Sequence, residues 1–298
     1  MMTISTPLHL EVPKRPTVED DLGKVLKEIS DLIGMEKIKG ELNKLIALGS
    51  LVALRRQRDI PMERVSLHMV FTGPPGTGKT IMARKIGRLF KAIGLLRKGH
   101  CIEVDRSKLV AGYIGQTGKL VMEAVKDAQD GVLFIDEAYA LAGGTGEIAS
   151  SDSFGDEAVQ TLLKMMEDYR DRVVVIVAGY TSPMRRFMEN NPGLKSRFTR
   201  ELEFESYNSD QLFEIFKYMV HEGNYVLEPD AEYEAAKYIK DLDSAREDFG
   251  NARAVRTFFE RILPAQAERI ASTPGFESLP NEKLLTVTGD DVRAITGY

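Results

Sequence analysis

The run His68-Met69-Val70-Phe71-Thr72-Gly73-Pro74-Pro75-Gly76-Thr77-Gly78-Lys79-Thr80 decides the fold. Its first part is short and apolar, its second fits G-x-x-x-x-G-K-[ST], and a helical pattern follows over about 79–93. A strand that turns through glycines into a helix aims backbone N–H groups and the helix dipole at one point, which makes an anion site. Gly73, Gly76 and Gly78 let the chain turn inward, with Pro74, Pro75 and Thr77 between them. Lys79 can then reach the β- and γ-phosphates of a nucleotide, and the Thr80 hydroxyl can ligate magnesium.

Working outward, Gly131-Val132-Leu133-Phe134-Ile135-Asp136-Glu137 is a second apolar run, and it ends in two acids. A strand of this kind places its acids at the carboxyl edge of a sheet, where ligands bind in α/β folds. Asp136 can hold hydrated magnesium, and Glu137 can orient and deprotonate an attacking water. Two acids in these positions favour hydrolysis over a nucleotide-bound switch. Further short apolar runs at Leu67–Phe71, Cys101–Val104, Val132–Ile135, Val173–Val177 and Leu202–Phe204 read as strands, with helical patterns between most of them. Five continuous apolar strands alternating with helices predict a parallel sheet covered on both faces.

The flanks read differently. Residues 1–20 are rich in Pro and Thr and are expected to form a flexible arm. Helical spacing begins near Leu22, and a longer helix is expected from after Ile33-Gly34 to about Arg58. From Asn208 the strand signal nearly vanishes, which predicts an all-helical smaller domain over 208–298 after an α/β domain over 21–207. Caps are expected at Ser209-Asp210, Asp230 and Asn251, with Pro264 breaking or kinking the third helix.

Composition removes other classes. Forty basic against 45 acidic residues give a net charge of −5, which argues against a polyanion track held by bulk positive charge. Cys101 is alone, and His9, His68, His100 and His221 are scattered, so neither a disulfide nor a zinc site is expected. The amino terminus has no signal-peptide pattern, and no apolar run approaches the ~20 residues that span a bilayer. A cytoplasmic or other reducing compartment is the expectation, with no membrane contact.

With both phosphate motifs in place, the chain resembles the AAA+ ATPases. More narrowly it is similar to the group containing CbbX (the red-type rubisco activase), the sporulation protein SpoVK and the C-terminal ATPase module of the secretion protein EccA. HMVFTGPPGTGKT (68–80), YIGQT (113–117), GVLFIDEAYAL (131–141), VVIVAGY (174–180) and NPGLKSRF (191–198) carry the resemblance. It implies a P-loop core followed by a helical lid, ATP and Mg2+ as cofactors, and a homo-hexameric ring with nucleotide between subunits. It further implies that Arg197 is an arginine finger, Arg200 a second arginine of that pattern, and Arg253 a sensor arginine, with Arg256 as its alternative. Ile33-Gly34 would pack against adenine, and Tyr180 or Thr181 would stand where the wider superfamily places a polar sensor. Tyr113 and Ile114 match an aromatic pore loop, and the insertion at 142–155 falls where a second pore loop would lie. Read without the resemblance, the arginines are ordinary surface residues, Tyr113 a turn residue and Gly34 a helix breaker.

These features together imply an ATP-driven remodeller that acts on a client polypeptide through a central pore. A rubisco activase acting on the rubisco large subunit is the sharpest version. A SpoVK-like chaperone with another client is the neighbouring one, because Tyr-Ile-Gly-Gln-Thr-Gly-Lys-Leu (113–120) departs from the YIGHT pattern of CbbX proteins. A nucleic-acid motor or clamp loader, and a scaffold that binds ATP without turnover, are the readings of other classes.

Overall fold

Alternation along two central strands sorts the core into two layers. Leu133, Ile135, Val173, Val175 and Val177 face one side of the sheet, and Val132, Phe134, Val174, Ile176 and Ala178 face the other. Successive side chains of a strand point to opposite faces, so a strand apolar at every position must be covered twice. The computed structural model describes residues 18–61, 65–113, 115–142, 153–242 and 249–297.

The chain enters through helices α1 (Val18–Ser30) and α2 (Glu36–Gln57). The α/β part follows as β1 (Met69–Thr72), α3 (Lys79–Ala92), β2 (Cys101–Val104), α4 (Arg106–Leu109), α5 (Thr117–Asp127) and β3 (Gly131–Ile135). It closes with α6 (Ser153–Asp168), β4 (Val173–Gly179), α7 (Thr181–Glu189), α8 (Pro192–Arg197) and β5 (Arg200–Glu203). The five strands pair in parallel in the order β2-β3-β4-β1-β5. Helices α1, α2 and α3 cover one face, and α5 to α8 supply most of the other. Phe71 sits between Phe134 and Phe204, with ring centroids 6.5 and 5.0 Å away, and each fully buried ring contributes about 2–3 kcal/mol.

The smaller domain comprises α9 (Ser209–Glu222), β6 (Val226–Leu227), α10 (Pro229–Asp241), α11 (Ala252–Ala271), α12 (Asn281–Leu285), β7 (Thr286–Val287) and α13 (Gly289–Thr296). Its own core gathers around Phe216, against which Phe213, Phe258 and Phe259 pack. Ile33 and Met35, from the α1–α2 junction, also pack on this cluster, so the amino-terminal helices touch both domains.

Several expectations are corrected. Helix α1 begins at Val18, so the last three residues of the expected arm are helical, while 1–17 lie outside the described residues. The cap of α9 is Asn208, in a reciprocal box with Gln211, rather than Ser209-Asp210. Helix α10 starts from Glu228 with Pro229 in its first turn, which frees Asp230 to accept a bond from the Gly289 N–H. The smaller domain is not all-helical, because β6 and β7 pair in parallel over two residues each. Helix α11 runs through Pro264. The proline lies on the exposed side, where water can satisfy the carbonyl it leaves unpaired.

Candidate active site

Parallel pairing brings the ends of β1, β3 and β4 to one edge. The Gly73 N–H donates to the Gly179 carbonyl at 3.2 Å, which fixes the start of the glycine loop against the end of β4. Gly76 and Gly78 have φ of +69° and +90°, a region that side chains other than glycine's rarely enter. A Cβ on Gly73 would meet the Phe204 carbonyl at 2.1 Å, and one on Gly76 the Gly250 carbonyl at 2.1 Å. The loop is thus pressed between the sheet edge and the smaller domain. Only glycine backbone fits both close approaches.

Pro74 and Pro75 contribute carbonyls. Pro74 accepts from Thr77 Oγ1 at 2.9 Å and from Lys79 Nζ at 2.6 Å, and the Gly73 carbonyl accepts from the same ammonium at 2.8 Å. Lys79 is therefore curled over its own loop. Burial pushes its pKa down to about 8, against the pull of Asp136 and Glu137, while the Arg253 charge lowers it further. Arg253 is the arginine whose charge registers at Lys79, although both Arg253 and Arg256 are exposed on α11.

Thr80, the second residue of α3, lines a cleft of about 390 Å³ with Asp136, Glu137, Glu103, Asp105 and Lys108. Asp136 extends the sheet by donating its N–H to the Val104 carbonyl, and its Oδ1 accepts the Glu137 N–H at 3.0 Å. Glu137 has φ of +48°, a strained value for a residue with a side chain. The cradle that a Cβ would fill, one ammonium and the Thr80–Asp136 oxygen pair fit a nucleotide triphosphate with a divalent cation.

Ile33 packs toward the smaller domain's core, and Gly34 has φ of +67° with no room for a Cβ beside Gln211 and Tyr207. Both sit at the junction of the two domains. Tyr180 caps α7, and its ring lies 6.2 Å from that of Tyr139, while Thr181 is the first residue of the helix.

Arg197 ends α8. Its Nη1 donates to the Gly193 carbonyl at 3.2 Å, and its buried Nε has no partner among the described residues. Arg200 points elsewhere. Its guanidinium donates to the Ser66 carbonyl of its own chain, and burial lowers its pKa. The two guanidiniums thus bond to different carbonyls of their own chain, Gly193 for Arg197 and Ser66 for Arg200. Tyr113 is 74% exposed between Gly112 and Gly115, around which a Cβ would meet nothing. Ile114 lies outside the described residues, as does most of the 142–155 insertion.

Two residues at the site were not singled out by sequence. Asn251, expected only as a helix start, is buried and bonds across to the glycine loop, and Tyr207 donates its hydroxyl to the Thr77 carbonyl at 3.3 Å. The one signal available was an asparagine directly before Ala252-Arg253 at a helix start.

Residues 69–206 match the family model "ATPase family associated with various cellular activities (AAA)", and 208–297 match the AAA lid domain. The chain is 40% identical to stage V sporulation protein K of Bacillus subtilis (strain 168), over 91% of its length and 82% of that protein's. It is 39% identical to protein CbbX of Cereibacter sphaeroides, over 91% and 86%. It is also 39% identical to the chloroplastic ribulose bisphosphate carboxylase/oxygenase activase of Cyanidioschyzon merolae (strain NIES-3377 / 10D), over 92% and 90%. In fold it resembles the crystal structure of the FIGL-1 AAA domain in complex with ADP, with a TM-score of 0.59 at 18% identity over 96% and 92% of the chains. The chain belongs to the AAA ATPase family, whose members use ATP with Mg2+, and it carries both the AAA domain and the AAA lid.

Proposed function

We propose that this ATPase works as a homo-hexameric ring that remodels a client polypeptide drawn into its central pore. The observation that carries the reading is Tyr113. A large ring exposed to solvent between two unhindered glycines is costly to leave in water, and it suits a loop that grips extended chain without reading its sequence.

The geometry supports the following catalytic roles. The loop 73–80 holds the phosphates through its N–H groups, and Lys79 leaves the carbonyls of Gly73 and Pro74 to face the terminal phosphates. Thr80 and Asp136 hold Mg2+, which supplies charge neutralisation on the phosphoryl oxygens. Glu137 orients the attacking water and takes its proton, with Tyr180 or Thr181 at the neighbouring strand end to fix that water. Arg253 follows the γ-phosphate from the lid, and Ile33 and Gly34 border the adenine. Arg197, partly exposed at the end of α8, reaches the adjacent subunit's nucleotide. Arg200, held by Ser66, supports the position of β5 instead. The domains that work against each other in this scheme are 21–207 and 208–298.

Among relatives, one is named as a rubisco activase, and the rubisco large subunit is the client to test first. The test is an ATPase assay with inhibited red-type rubisco plus ribulose bisphosphate, with an unfolded polypeptide, or with single-stranded DNA. Stimulation by rubisco or polypeptide, lost in Tyr113→Ala, is the expected outcome, and stimulation by DNA alone overturns the reading. Glu137→Gln keeps nucleotide binding and loses turnover by roughly 10²- to 10⁴-fold. Unchanged hydrolysis in that variant removes Glu137 from its role.

A further inference from the structure

Asn251 stands at the start of α11, fully buried, with φ 47° and ψ −125°. That backbone region is one that residues with side chains avoid, so surrounding structure must hold it. The side chain does not cap its own helix. Instead its three hydrogen bonds go to three different parts of the molecule. Nδ2 donates to the Pro75 carbonyl in the phosphate loop at 3.2 Å and to the Phe249 carbonyl in the lid at 3.1 Å. Oδ1 accepts the N–H of Tyr207, in the link between the domains, at 2.9 Å. All of the amide's buried capacity but one acceptor site is used.

The neighbours reinforce the same junction. The Ala252 N–H donates to the Gly76 carbonyl at 3.2 Å, and Gly76 fits against the Gly250 carbonyl only because it lacks a Cβ. Tyr207 returns to the loop through its hydroxyl on Thr77. Phosphate loop, interdomain link and lid therefore meet at one amide, two residues before Arg253.

We propose that Asn251 is the positioning residue that converts the state of the phosphate loop into the position of the lid and of Arg253. Any displacement of Pro75 when phosphates enter must either carry Asn251 with it or break a buried bond and leave polar groups unpaired away from water. The first path moves the head of α11 and the backbone of Tyr207 together. Asn251 touches no nucleotide itself. Its strained backbone holds the amide at a place that a relaxed helix start would not reach.

The test uses Asn251→Gly in the full chain. Glycine adopts the same φ and ψ without strain, so the fold is kept while all three side-chain bonds are lost. The expected result is a fall in kcat of roughly 10- to 100-fold, as for a misplaced catalytic group, with fluorescent ADP affinity changed less than about threefold. Hydrogen exchange supplies a readout that a merely structural role does not move. In the parent protein ADP slows exchange in the phosphate loop and in the first turns of α11, whereas in Asn251→Gly the slowing stays within the loop. Asn251→Asp, which keeps the acceptor for Tyr207 but turns an oxygen toward the Pro75 carbonyl, behaves like the glycine variant. Wild-type kcat with ADP protection still passing to α11 overturns the proposal. Unfolding of the lid in Asn251→Gly overturns it too, since the side chain would then hold the lid's fold and not its position.

Discussion

His68, at the head of the run that decides the fold, is buried against β4, and its Nδ1 accepts the Val175 N–H at 3.0 Å. Burial pushes its pKa from 6.5 down to about 4, against a bond to the Met166 backbone, and the Arg197 charge lowers it further. The imidazole thus stays neutral beside Arg197. Above about pH 6.5 neither the folded nor the unfolded chain carries this proton; between there and about 4 only the unfolded chain takes it up. Stability therefore falls as pH falls through that window, by on the order of 3 kcal/mol if nothing else titrates. His68→Asn, which preserves an acceptor for Val175, flattens that slope. Urea unfolding at pH 7.5 and 5.0 measures it, and an identical slope in the variant sinks the assignment. Single residues also mark what could be read in advance. Gly73, Lys79 and Asp136 announce themselves because their partners are a few positions away or are implied by a strand end. Asn251 and Arg200 do not, because Pro75 lies 176 positions from the first and Ser66 lies 134 from the second.

Beside the buried packing of Val25 and Ile29, one carboxylate ties helix α1 to α3. Glu28 meets Lys85 and both ends of the Arg88 guanidinium, and these partners hold its pKa at about 2. The contribution is fully present above the ordinary carboxylate range of 4.5 and is lost as pH falls from there toward 2. The group is about one-third exposed, so solvent reduces the worth of the cluster to about 1 kcal/mol. Glu28→Gln is expected to lower stability by that amount at neutral pH and to speed amide exchange in α1 before the rest of the sheet. Equal protection of α1 in the variant would falsify the clamp. Because α3 begins at the phosphate loop, this clamp also steadies Lys79 and Thr80 from behind. The long elements were readable because burial on two faces forces continuous apolar runs. The pair β6–β7 was not, since two residues carry no period, and its register depends on Gln266 donating to the Leu284 and Thr286 carbonyls from α11. The run of α11 through Pro264 was equally hidden, because only packing on both sides, through Phe258, Ile262 and Gln266, keeps the axis continuous.

The assembly proposal makes a demand that one chain cannot meet. Glu137 lies at its own chain's phosphate cleft, whereas Arg197 ends α8, partly exposed, and is not among the residues that line that cleft. If Arg197 completes the neighbouring site, Arg197→Ala and Glu137→Gln are each inactive for different reasons. An Arg197→Ala subunit still has a working Glu137, and a Glu137→Gln subunit still has a working Arg197. A site is whole when the first holds the nucleotide and the second lies beside it. Random mixing at equal amounts makes that arrangement at about one interface in four, so the mixture of two dead proteins should recover up to about a quarter of the parent activity. Recovery should need subunit exchange and should rise with protein concentration, because each site requires two chains. If Arg197 acted on its own chain's nucleotide, no mixture would contain an intact site and activity would stay at the level of the separate variants. The same experiment with Arg200→Ala in place of Arg197→Ala separates the two arginines. Its tie to Ser66 predicts that Arg200→Ala lowers stability and slows turnover without giving any recovery on mixing, since the loss lies in how β5 is held within each subunit.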